Sequence, residues 1–121
     1  MDQRYISRKV IVVKPSDPLV EAAKSMSLLN ISALAVVDEK GKLIGILTER
    51  DVTRAAADGD INSNVERYMT KEVIGIDLSS DIEEAAKTMI DKGIRHLPVT
   101  DKGKVVGIIS IRDIGKAIMQ I

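Results

Sequence analysis

The stretch GIISIRDI, residues 107–114, carries the pattern that decides the fold prediction. A glycine and two isoleucines lead into Ser110, and Asp113 follows three residues later. A short apolar run of this kind is consistent with a buried strand, and a serine or threonine with an acidic residue three positions on is typical of a helix N-terminus. The stretch GILTERDV, residues 45–52, has the same arrangement with Thr and Asp. Both stretches are therefore predicted to be a strand that leads directly into a helix.

The sequence around these stretches is one unit written twice. The segment RYISRKVIV, which begins at residue 4, aligns with RYMTKEVIG, which begins at residue 67, and EAAKSM at residue 21 aligns with EAAKTM at residue 84 with the same offset. After the turns DEKGK and DKGK the offset shortens by one residue, as expected for a surface turn. Two copies of about 60 residues then fill the chain.

The residue pattern of each copy predicts five secondary-structure elements in the order β-α-β-β-α. A short β-rich run comes first, apolar residues then recur at helical spacing, two strands flank a Gly-Lys turn, and a second helix closes the copy. The predicted elements are Val10–Val13, Leu19–Leu29, 33–38, 42–48 and 49–57 in the first copy, and Val73–Ile76, Ile82–Lys92, 96–101, 104–110 and 111–121 in the second. The predicted fold class is therefore α/β (α+β).

The two copies are predicted at residues 1–57 and 67–121, and the polar residues 58–66 are interpreted as the linker between them. One copy has too little core to stand alone and leaves one sheet face uncovered. We therefore expect the two β-α-β-β-α repeats to pack through their sheets with pseudo-two-fold symmetry and to form two related clefts where they meet.

The composition excludes several classes of function. Eighteen Lys and Arg residues balance eighteen Asp and Glu residues, and Tyr5 and Tyr68 are the only aromatic residues, so nucleic-acid binding is not expected. The absence of cysteine excludes disulfides, thiolate chemistry and zinc-thiolate sites. No apolar run approaches the roughly 20 residues that span a bilayer, and the N-terminus lacks the apolar region of a secretory leader. We therefore expect no membrane association and assign the chain to the cytoplasm.

The repeated hydroxyl and carboxylate residues, Thr48 with Asp51 and Ser110 with Asp113, have two interpretations. In the first, they only cap the closing helices as an acidic form of the capping box. In the second, they also bind a ligand, because the free N–H groups of the first helical turn form an anion site and a carboxylate beside it can accept two hydrogen bonds from a ribose diol. Both copies use Asp where Glu or Gln better reaches the N-cap amide, a choice that capping alone leaves unexplained. The residues alone leave both interpretations open.

No catalytic or metal site is predicted. His96 is the only histidine, and Ser110, His96 and Asp113 are the residue types of a hydrolytic triad. The chain nevertheless has no G-x-S-x-G nucleophile elbow, and the first copy repeats the hydroxyl and the Asp without a His. One histidine and no cysteine do not make a zinc site. The chain is therefore not expected to be an enzyme, and no cofactor is expected.

The two EAAKxM helices, the strand-turn-strand segments VVDEKGKLIGI and VTDKGKVVGI and the closing T/S-x-R-D together resemble a tandem pair of CBS domains, the family named after cystathionine beta-synthase. The resemblance covers essentially the whole chain, and its most specific part is GIRHLP (93–98) followed by GIIS (107–110) and Asp113. It implies a small stand-alone regulatory module of the bacterial or archaeal kind whose two clefts bind AMP, ADP, ATP or S-adenosylmethionine. It also implies a homodimer that modulates an unknown partner enzyme or transporter.

The resemblance also assigns roles to residues of the second copy. Asp113 would hold the ribose hydroxyls, and Ser110 would lie near the ribose-phosphate junction. Arg95 and His96 would face the phosphates. The base would lie against the first strand of the other copy and beside two apolar residues of the cleft: Val12, Val13, Ile94 and Pro98.

The matching cleft of the first copy would use the equivalent residues: Thr48, Asp51, Ser32, Ala33, Gly75 and Ile76. Asn30 and Ala35 stand there where the family pattern has Gly and Pro. The first strands of the two copies carry Val12 and Gly75 where the family often has a ligand-binding Thr. Because Ser and Ala supply no cation for a phosphate, we expect the Asp113 cleft to bind more tightly than the cleft of the first copy.

The last helix carries an apolar stripe at helical spacing, formed by Ile114, Ala117, Ile118 and Ile121. We expect this stripe to contribute to a dimer interface, since an exposed apolar stripe drives self-association.

The alternative to a nucleotide sensor is a structural dimerisation or scaffold module in which the clefts are vestigial and the repeated Ser/Thr and Asp residues only cap helices.

Overall fold

A computed structural model of the chain describes Ile6 and residues 12–119. The described residues form two compact units, one of residues 12–73 and one of residues 74–119 with Ile6. Each unit has a three-stranded sheet and helices, which confirms the predicted mixed α/β (α+β) class.

The first unit contains the strands β1 (Val12–Val13), β2 (Ala33–Val37) and β3 (Leu43–Thr48) and the helices α1 (Leu19–Leu29), α2 (Glu49–Ala57) and α3 (Val65–Tyr68). The central strand β2 pairs parallel to β1 and antiparallel to β3. All five residues of β2 are buried, as expected for a central strand of a covered sheet. The fully buried hydrophobic side chains of this unit are Leu19, Leu34, Ala35, Val36, Leu47, Ala55 and Val65.

The second unit contains the strands β4 (Ile76–Asp77), β5 (His96–Asp101) and β6 (Lys104–Ser110) and the helices α4 (Ile82–Lys92) and α5 (Ile111–Met119). The central strand β5 again pairs parallel to the first strand of its unit and antiparallel to the last. The core of the second unit is formed by Ile6, Ile76, Ala85, Met89, Leu97, Val99, Ile109 and Ile114. The two units therefore have the same topology.

The first helix of each unit has the predicted bounds, and a local signal ends it in both copies. Asp81 caps the N-terminus of α4 by accepting a hydrogen bond from the Glu84 N–H over 2.8 Å. The C-caps are Asn30 (φ 53°) and Gly93 (φ 65°), and both are in the left-handed conformation that ends a helix. Asn tolerates this conformation better than other residues with a side chain, so the first copy ends its helix in the same way without the glycine.

The predicted first strand of the second unit has the wrong bounds. In the second unit Val73–Gly75 lies outside any strand, and β4 begins at Ile76. In the first unit Val12–Val13 is a strand as predicted, and residues 10 and 11 of the prediction lie outside the described part of the chain. A β-rich run signals burial and extended backbone, but the length of a strand depends on how much of its partner is available for pairing.

Residues 58–66, predicted as a linker, are hydrogen-bonded to the chain that leads into α1. The Val65 N–H donates to the Asp17 carbonyl over 2.9 Å, and the Leu19 N–H donates to the Ser63 carbonyl over 2.9 Å. Val65 is fully buried in the core of the first unit and begins α3. The end of this segment therefore packs as part of the first unit.

The residues of the apolar stripe predicted on the last helix differ in burial. Ile114 is only 3% exposed and belongs to the core of the second unit, so its place in an exposed stripe was wrong. Ile118 is 61% exposed. Ile121 lies outside the described residues.

Candidate functional site

Ser110 and Asp113 form a reciprocal capping box at the start of α5. Asp113 Oδ2 accepts hydrogen bonds from the Ser110 N–H over 2.8 Å and from the Ser110 hydroxyl over 2.9 Å. The Asp113 N–H in turn donates to Ser110 Oγ over 3.1 Å. These contacts satisfy orphan donors of the first helical turn, so Ser110 and Asp113 cap α5, as both interpretations require.

Thr48 and Asp51 form the same capping box at the start of α2. Asp51 Oδ2 accepts from the Thr48 N–H over 2.9 Å and from the Thr48 hydroxyl over 3.1 Å, and the Asp51 N–H donates to Thr48 Oγ1 over 3.4 Å. In both units the Asp carboxylate therefore reaches the N-cap amide. The expectation that capping leaves the choice of Asp unexplained was wrong, because the short side chain completes the box in each copy.

The second carboxylate oxygen distinguishes the two copies. Asp51 Oδ1 accepts a hydrogen bond from Arg54 Nη2 over 2.9 Å, and Asp51 is only 6% exposed. Asp113 is half-buried, and its Oδ1 accepts no hydrogen bond from any residue that the structure describes. Among the described residues, Asp113 Oδ1 therefore has no donor, whereas both oxygens of Asp51 are engaged.

The loop before β5 lies next to the capping box of the second unit. The Ile111 N–H donates to the Arg95 carbonyl over 2.9 Å, and His96 is the register partner of Ser110 in the β5–β6 ladder. The Arg95 side chain is exposed, and His96 is half-buried with a polar partner of its own. The structure thus brings the backbone of Arg95 and His96 next to Ser110 and Asp113 at one end of one sheet.

The two apolar residues assigned to this cleft are placed differently from each other. Ile94 is half-buried and packs against the core of the second unit, and its N–H donates to the Met89 carbonyl over 3.0 Å. Pro98 is fully buried within β5, opposite Ile108. Ile94 is therefore partly accessible on the surface of the unit, whereas Pro98 is not.

The equivalent loop of the first unit carries no cation. The Glu49 N–H donates to the Ser32 carbonyl over 3.1 Å, and the buried Ala33 is the register partner of Thr48. The geometry of the backbone is therefore the same in the two copies. The positive charge near this carboxylate comes instead from Arg54, three residues further along α2.

The residues assigned to the base are distributed between the two units. In the first unit β1 lies against β2, with Val12 opposite Ala35; Val12 is 47% exposed, and its neighbour Val13 is buried. In the second unit Gly75 is exposed and precedes β4, and Ile76 is buried. Their roles toward a ligand stay predictions from the resemblance.

Sequence reasoning missed Arg54, which the structure places at the centre of a contact network. Its Nη2 also donates to the Tyr68 carbonyl over 3.3 Å, and its guanidinium lies 5.9 Å from the centre of the Tyr68 ring. The spacing of Asp51 and Arg54, three residues apart on a helix, is the signal that would have predicted the ion pair.

The Tyr68 hydroxyl continues this network. It donates to Asp58 Oδ2 over 2.9 Å and lies 3.1 Å from Asp60 Oδ2, and Asp60 also forms an ion pair with Arg67. Burial raises the pKa of Tyr68, and the hydrogen bonds and negative charges of the two aspartates raise it further. The phenol is therefore kept in its protonated form in the folded protein.

Within the part of the chain that the structure covers, no helix is both long and apolar enough to cross a bilayer. Across the same residues, no three His, Cys, Asp or Glu side chains come together as a metal-binding group.

Comparison with solved structures supports the assignment of the fold. The chain is similar to the CBS domain pair of protein MJ0100 in complex with 5'-methylthioadenosine and S-adenosyl-L-methionine, with a TM-score of 0.90 and 32% identity over 98% of this chain and 94% of that one. It is also similar to the cytosolic domain of the Mg²⁺ channel MgtE in complex with ATP, with a TM-score of 0.79 and 29% identity over 93% of this chain and 46% of that one.

Among curated proteins, a 17.7 kDa protein of Acidianus ambivalens is 44% identical over 93% of this chain and 70% of its own length. Other relatives are longer, and the chain spans 57%, 40% and 22% of three of them. The sequence pattern of the CBS domain matches residues 3–58 and again residues 65–120. The chain therefore belongs to the CBS domain family and contains two CBS domains in tandem.

Proposed function

We propose that the chain is a regulatory module that binds an adenosine ligand at the Ser110–Asp113 site and changes the activity of a partner protein in response. The observation that carries this proposal is the state of the Asp113 carboxylate. One of its oxygens caps α5, and the other accepts no hydrogen bond from the described residues although the group is half-buried. A half-buried carboxylate oxygen is costly unless it is hydrated or meets a ligand that donates to it.

The chemistry around Asp113 suits a nucleoside with a phosphate or another polar group at its 5' position. A carboxylate accepts hydrogen bonds from a ribose diol, and the Ser110 hydroxyl can act toward the neighbouring ribose or phosphate oxygens. Arg95, which is exposed and joined to the start of α5 through its carbonyl, provides a guanidinium suited to phosphate oxygens. These groups are arranged at the N-terminal end of α5, where the helix dipole also favours an anion.

The relatives narrow the class of ligand. The MJ0100 pair was solved with 5'-methylthioadenosine and S-adenosyl-L-methionine, and the MgtE domain with ATP. All three molecules share an adenosine moiety and differ at the 5' position. We therefore propose adenosine ligands as the class, and AMP, ADP, ATP and S-adenosylmethionine as the candidates to test.

Regulation would follow from a change in the relative orientation of the two CBS domains. A ligand that contacts both domains, as the predicted cleft requires, favours the orientation that it binds best, and a partner protein responds to that shift. The partner enzyme or transporter, and the cytoplasmic location, stay predictions from the sequence.

The homodimer is part of the same proposal. Ile118 and Met119, at the end of α5, are 61% and 87% exposed and can contribute to an interface between two chains. Light scattering after size exclusion would test this with Ile118→Lys. Ile90→Lys is the matched control, because Ile90 is 75% exposed on α4 of the same unit. A dimer that survives Ile118→Lys would contradict a role for this part of α5.

A thermal-shift series with AMP, ADP, ATP, S-adenosylmethionine and GTP tests the ligand. A ligand at about 100 times its Kd adds roughly 2.7 kcal/mol to the free energy of unfolding, which is a rise in Tm on the order of 10 °C for a domain of this size. We expect a rise with at least one adenosine ligand, a smaller one with GTP, and loss of the rise in Asp113→Ala.

Asp113→Ala also removes a helix cap, so it needs a control of equal structural effect. Asp81→Ala is suitable, because Asp81 caps α4 of the same unit through one hydrogen bond to the Glu84 N–H. Asp81→Ala should lower the Tm of the free protein and keep the ligand-induced rise. Loss of the rise in both variants would contradict a specific role for Asp113 in binding.

The alternative function is a dimerisation or scaffold module. The complete capping boxes of both copies favour it, because they give Ser110 and Asp113 a structural role that needs no ligand. No Tm rise with any of the five compounds, together with a stable dimer, would support the scaffold and overturn the sensor.

A further inference from the structure

We infer that Arg54 closes the site of the first CBS domain, so that one chain binds one adenosine ligand, at Asp113. This inference rests on the proposed function and concerns the number of ligands that the chain accepts. It follows from a difference in structure between two repeats that are otherwise built alike.

Arg54 is held against the Asp51 carboxylate from several sides. Its Nη2 donates to Asp51 Oδ1 over 2.9 Å and to the Tyr68 carbonyl over 3.3 Å, and the guanidinium lies near the Tyr68 ring, 5.9 Å from its centre. Tyr68 is itself fixed, because it is 8% exposed and its hydroxyl contacts Asp58 and Asp60. The position of the guanidinium is therefore set by groups outside the ion pair as well as by Asp51.

This arrangement removes what a ribose needs from the first domain. Asp51 Oδ2 already accepts from the Thr48 N–H and hydroxyl, and Oδ1 accepts from Arg54. The Asp51 side chain is 8% exposed, so little of either oxygen is accessible for further hydrogen bonds. The guanidinium also neutralises the carboxylate, which lowers its strength as an acceptor for a diol. A ligand would have to displace an arginine that keeps its other contacts.

The described residues of the second domain form no equivalent of this closure. The residue at the same spacing from Asp113 is Lys116, and the described residues supply no donor to Asp113 Oδ1. Lysine presents a compact, strongly hydrated charge on a flexible stem, whereas arginine presents a planar fork that matches a carboxylate. The difference between Arg54 and Lys116 therefore accounts for the two states: Asp51 Oδ1 accepts a hydrogen bond, and Asp113 Oδ1 accepts none from the described residues.

Isothermal titration of the full chain, with AMP and with S-adenosylmethionine as separate probes, measures the number of ligands bound. The wild-type chain should bind one ligand, and Asp113→Ala should bind none. Arg54→Met keeps much of the aliphatic stem and removes the guanidinium, so it should bind two ligands. The added site should be at least tenfold tighter than any binding by the first domain of the wild type, and Asp51→Ala in the Arg54→Met background should remove it.

Arg50→Ala is the matched control, because Arg50 is exposed on the same helix and should leave the number at one. Circular dichroism and the Tm of each variant establish that it is folded. If Arg54→Met unfolds, Arg54→Lys provides the second measurement, and two ligands are again expected because lysine cannot reproduce the planar contact.

The outcomes separate the inference from the proposed function. Two ligands bound by the wild type, or one ligand bound by a folded Arg54→Met and by Arg54→Lys, would overturn the closure and leave the sensor standing. Weaker binding in Arg54→Met would also overturn it, because Arg54 would then contact the ligand. No binding of either probe by the wild type and the Arg54 variants would overturn both proposals.

Discussion

The Ser110 N–H donates to Asp113 Oδ2 over 2.8 Å, and the other oxygen of the same carboxylate accepts nothing from the described chain. Capping and ligand binding are therefore compatible, because a carboxylate has two oxygens and the cap uses one. In the first domain the second oxygen is used by Arg54. The contacts of the second domain are thus compatible with capping and ligand binding together, whereas those of the first domain fit capping alone.

Removal of the two aspartates should destabilise the free protein unequally. Asp113→Ala loses the bonds of a helix cap, which cost about 1 kcal/mol. Asp51→Ala also loses a charge-assisted bond to Arg54 from a buried position, and we expect it to cost about 2 to 3 kcal/mol. Urea denaturation of both variants measures the difference in the free energy of unfolding. Equal losses would contradict the greater structural role of Asp51.

Gly45 should not tolerate a side chain. A Cβ at this position would lie 2.9 Å from Met69 Sδ and 3.1 Å from the Thr70 carbonyl oxygen, where the Ile46 N–H donates to that same carbonyl. Since backbone cannot move aside easily, Gly45→Ala is expected to cost about 1 to 3 kcal/mol.

Gly115→Ala is the control for this prediction. Gly115 lies inside α5, and a Cβ there would have no neighbour within 4 Å. Alanine should stabilise the helix by about 0.5 to 1 kcal/mol. Denaturation midpoints that move in the same direction for Gly45→Ala and Gly115→Ala would show that the contacts around Gly45 do not control its tolerance.

Asn30 should be replaceable by glycine but not by alanine. Its φ of 53° ends α1 in the left-handed conformation, which glycine adopts freely and alanine disfavours by about 1 to 2 kcal/mol. We expect Asn30→Gly to change the free energy of unfolding by a few tenths of a kcal/mol, and Asn30→Ala to lower it by about 1 kcal/mol. Thermal or urea denaturation of the two variants distinguishes them, and a neutral Asn30→Ala would contradict the role of the C-cap.

The stability of the protein should fall at high pH through Tyr68. Burial, followed by the hydrogen bonds to Asp58 and Asp60, raises the pKa of Tyr68 above its usual value of about 10. A raised pKa means that the folded state holds the proton more tightly, so this stabilisation is complete below about pH 10 and is lost as the pH rises through the folded pKa.

Comparison of the wild type with Tyr68→Phe isolates this effect from the titration of lysines. The free energy of unfolding should fall more steeply in the wild type than in Tyr68→Phe above about pH 10. Urea denaturation at several pH values measures both slopes. Parallel slopes for the two proteins would rule out linkage through Tyr68.

Local signals predicted much of the secondary structure. The bounds of α1, α2, α4, β5 and β6 agree with the prediction, because periodicity, caps and turn residues are encoded within a few residues of each end. The bounds of the first strand of the second unit were predicted wrongly, because a two-residue parallel pairing depends on a partner strand that is distant along the chain.

The candidate site was predictable in part for the same reason. The repeated Ser/Thr-x-x-Asp is a local motif, and the sequence located it in both copies. Which oxygens of each carboxylate accept hydrogen bonds was not predictable, because those bonds depend on groups that the fold brings together. Arg54 contacts Asp51 within its own helix, but it is held there by Tyr68, which approaches from a separate segment.

The sequence by itself determined that the chain is a duplicated β-α-β-β-α unit, that each copy ends in a helix capped by a hydroxyl residue and an aspartate, and that the family is that of the CBS domain. These properties depend on residue spacing and on the internal repeat, which are readable along the chain. Only the tertiary structure decided that Val65 and Ile114 are core residues, and that Asp51 is engaged on both oxygens while Asp113 is engaged on one. Burial and side-chain pairing depend on which segments meet in space, and two copies with the same local pattern can therefore differ in the chemistry they offer.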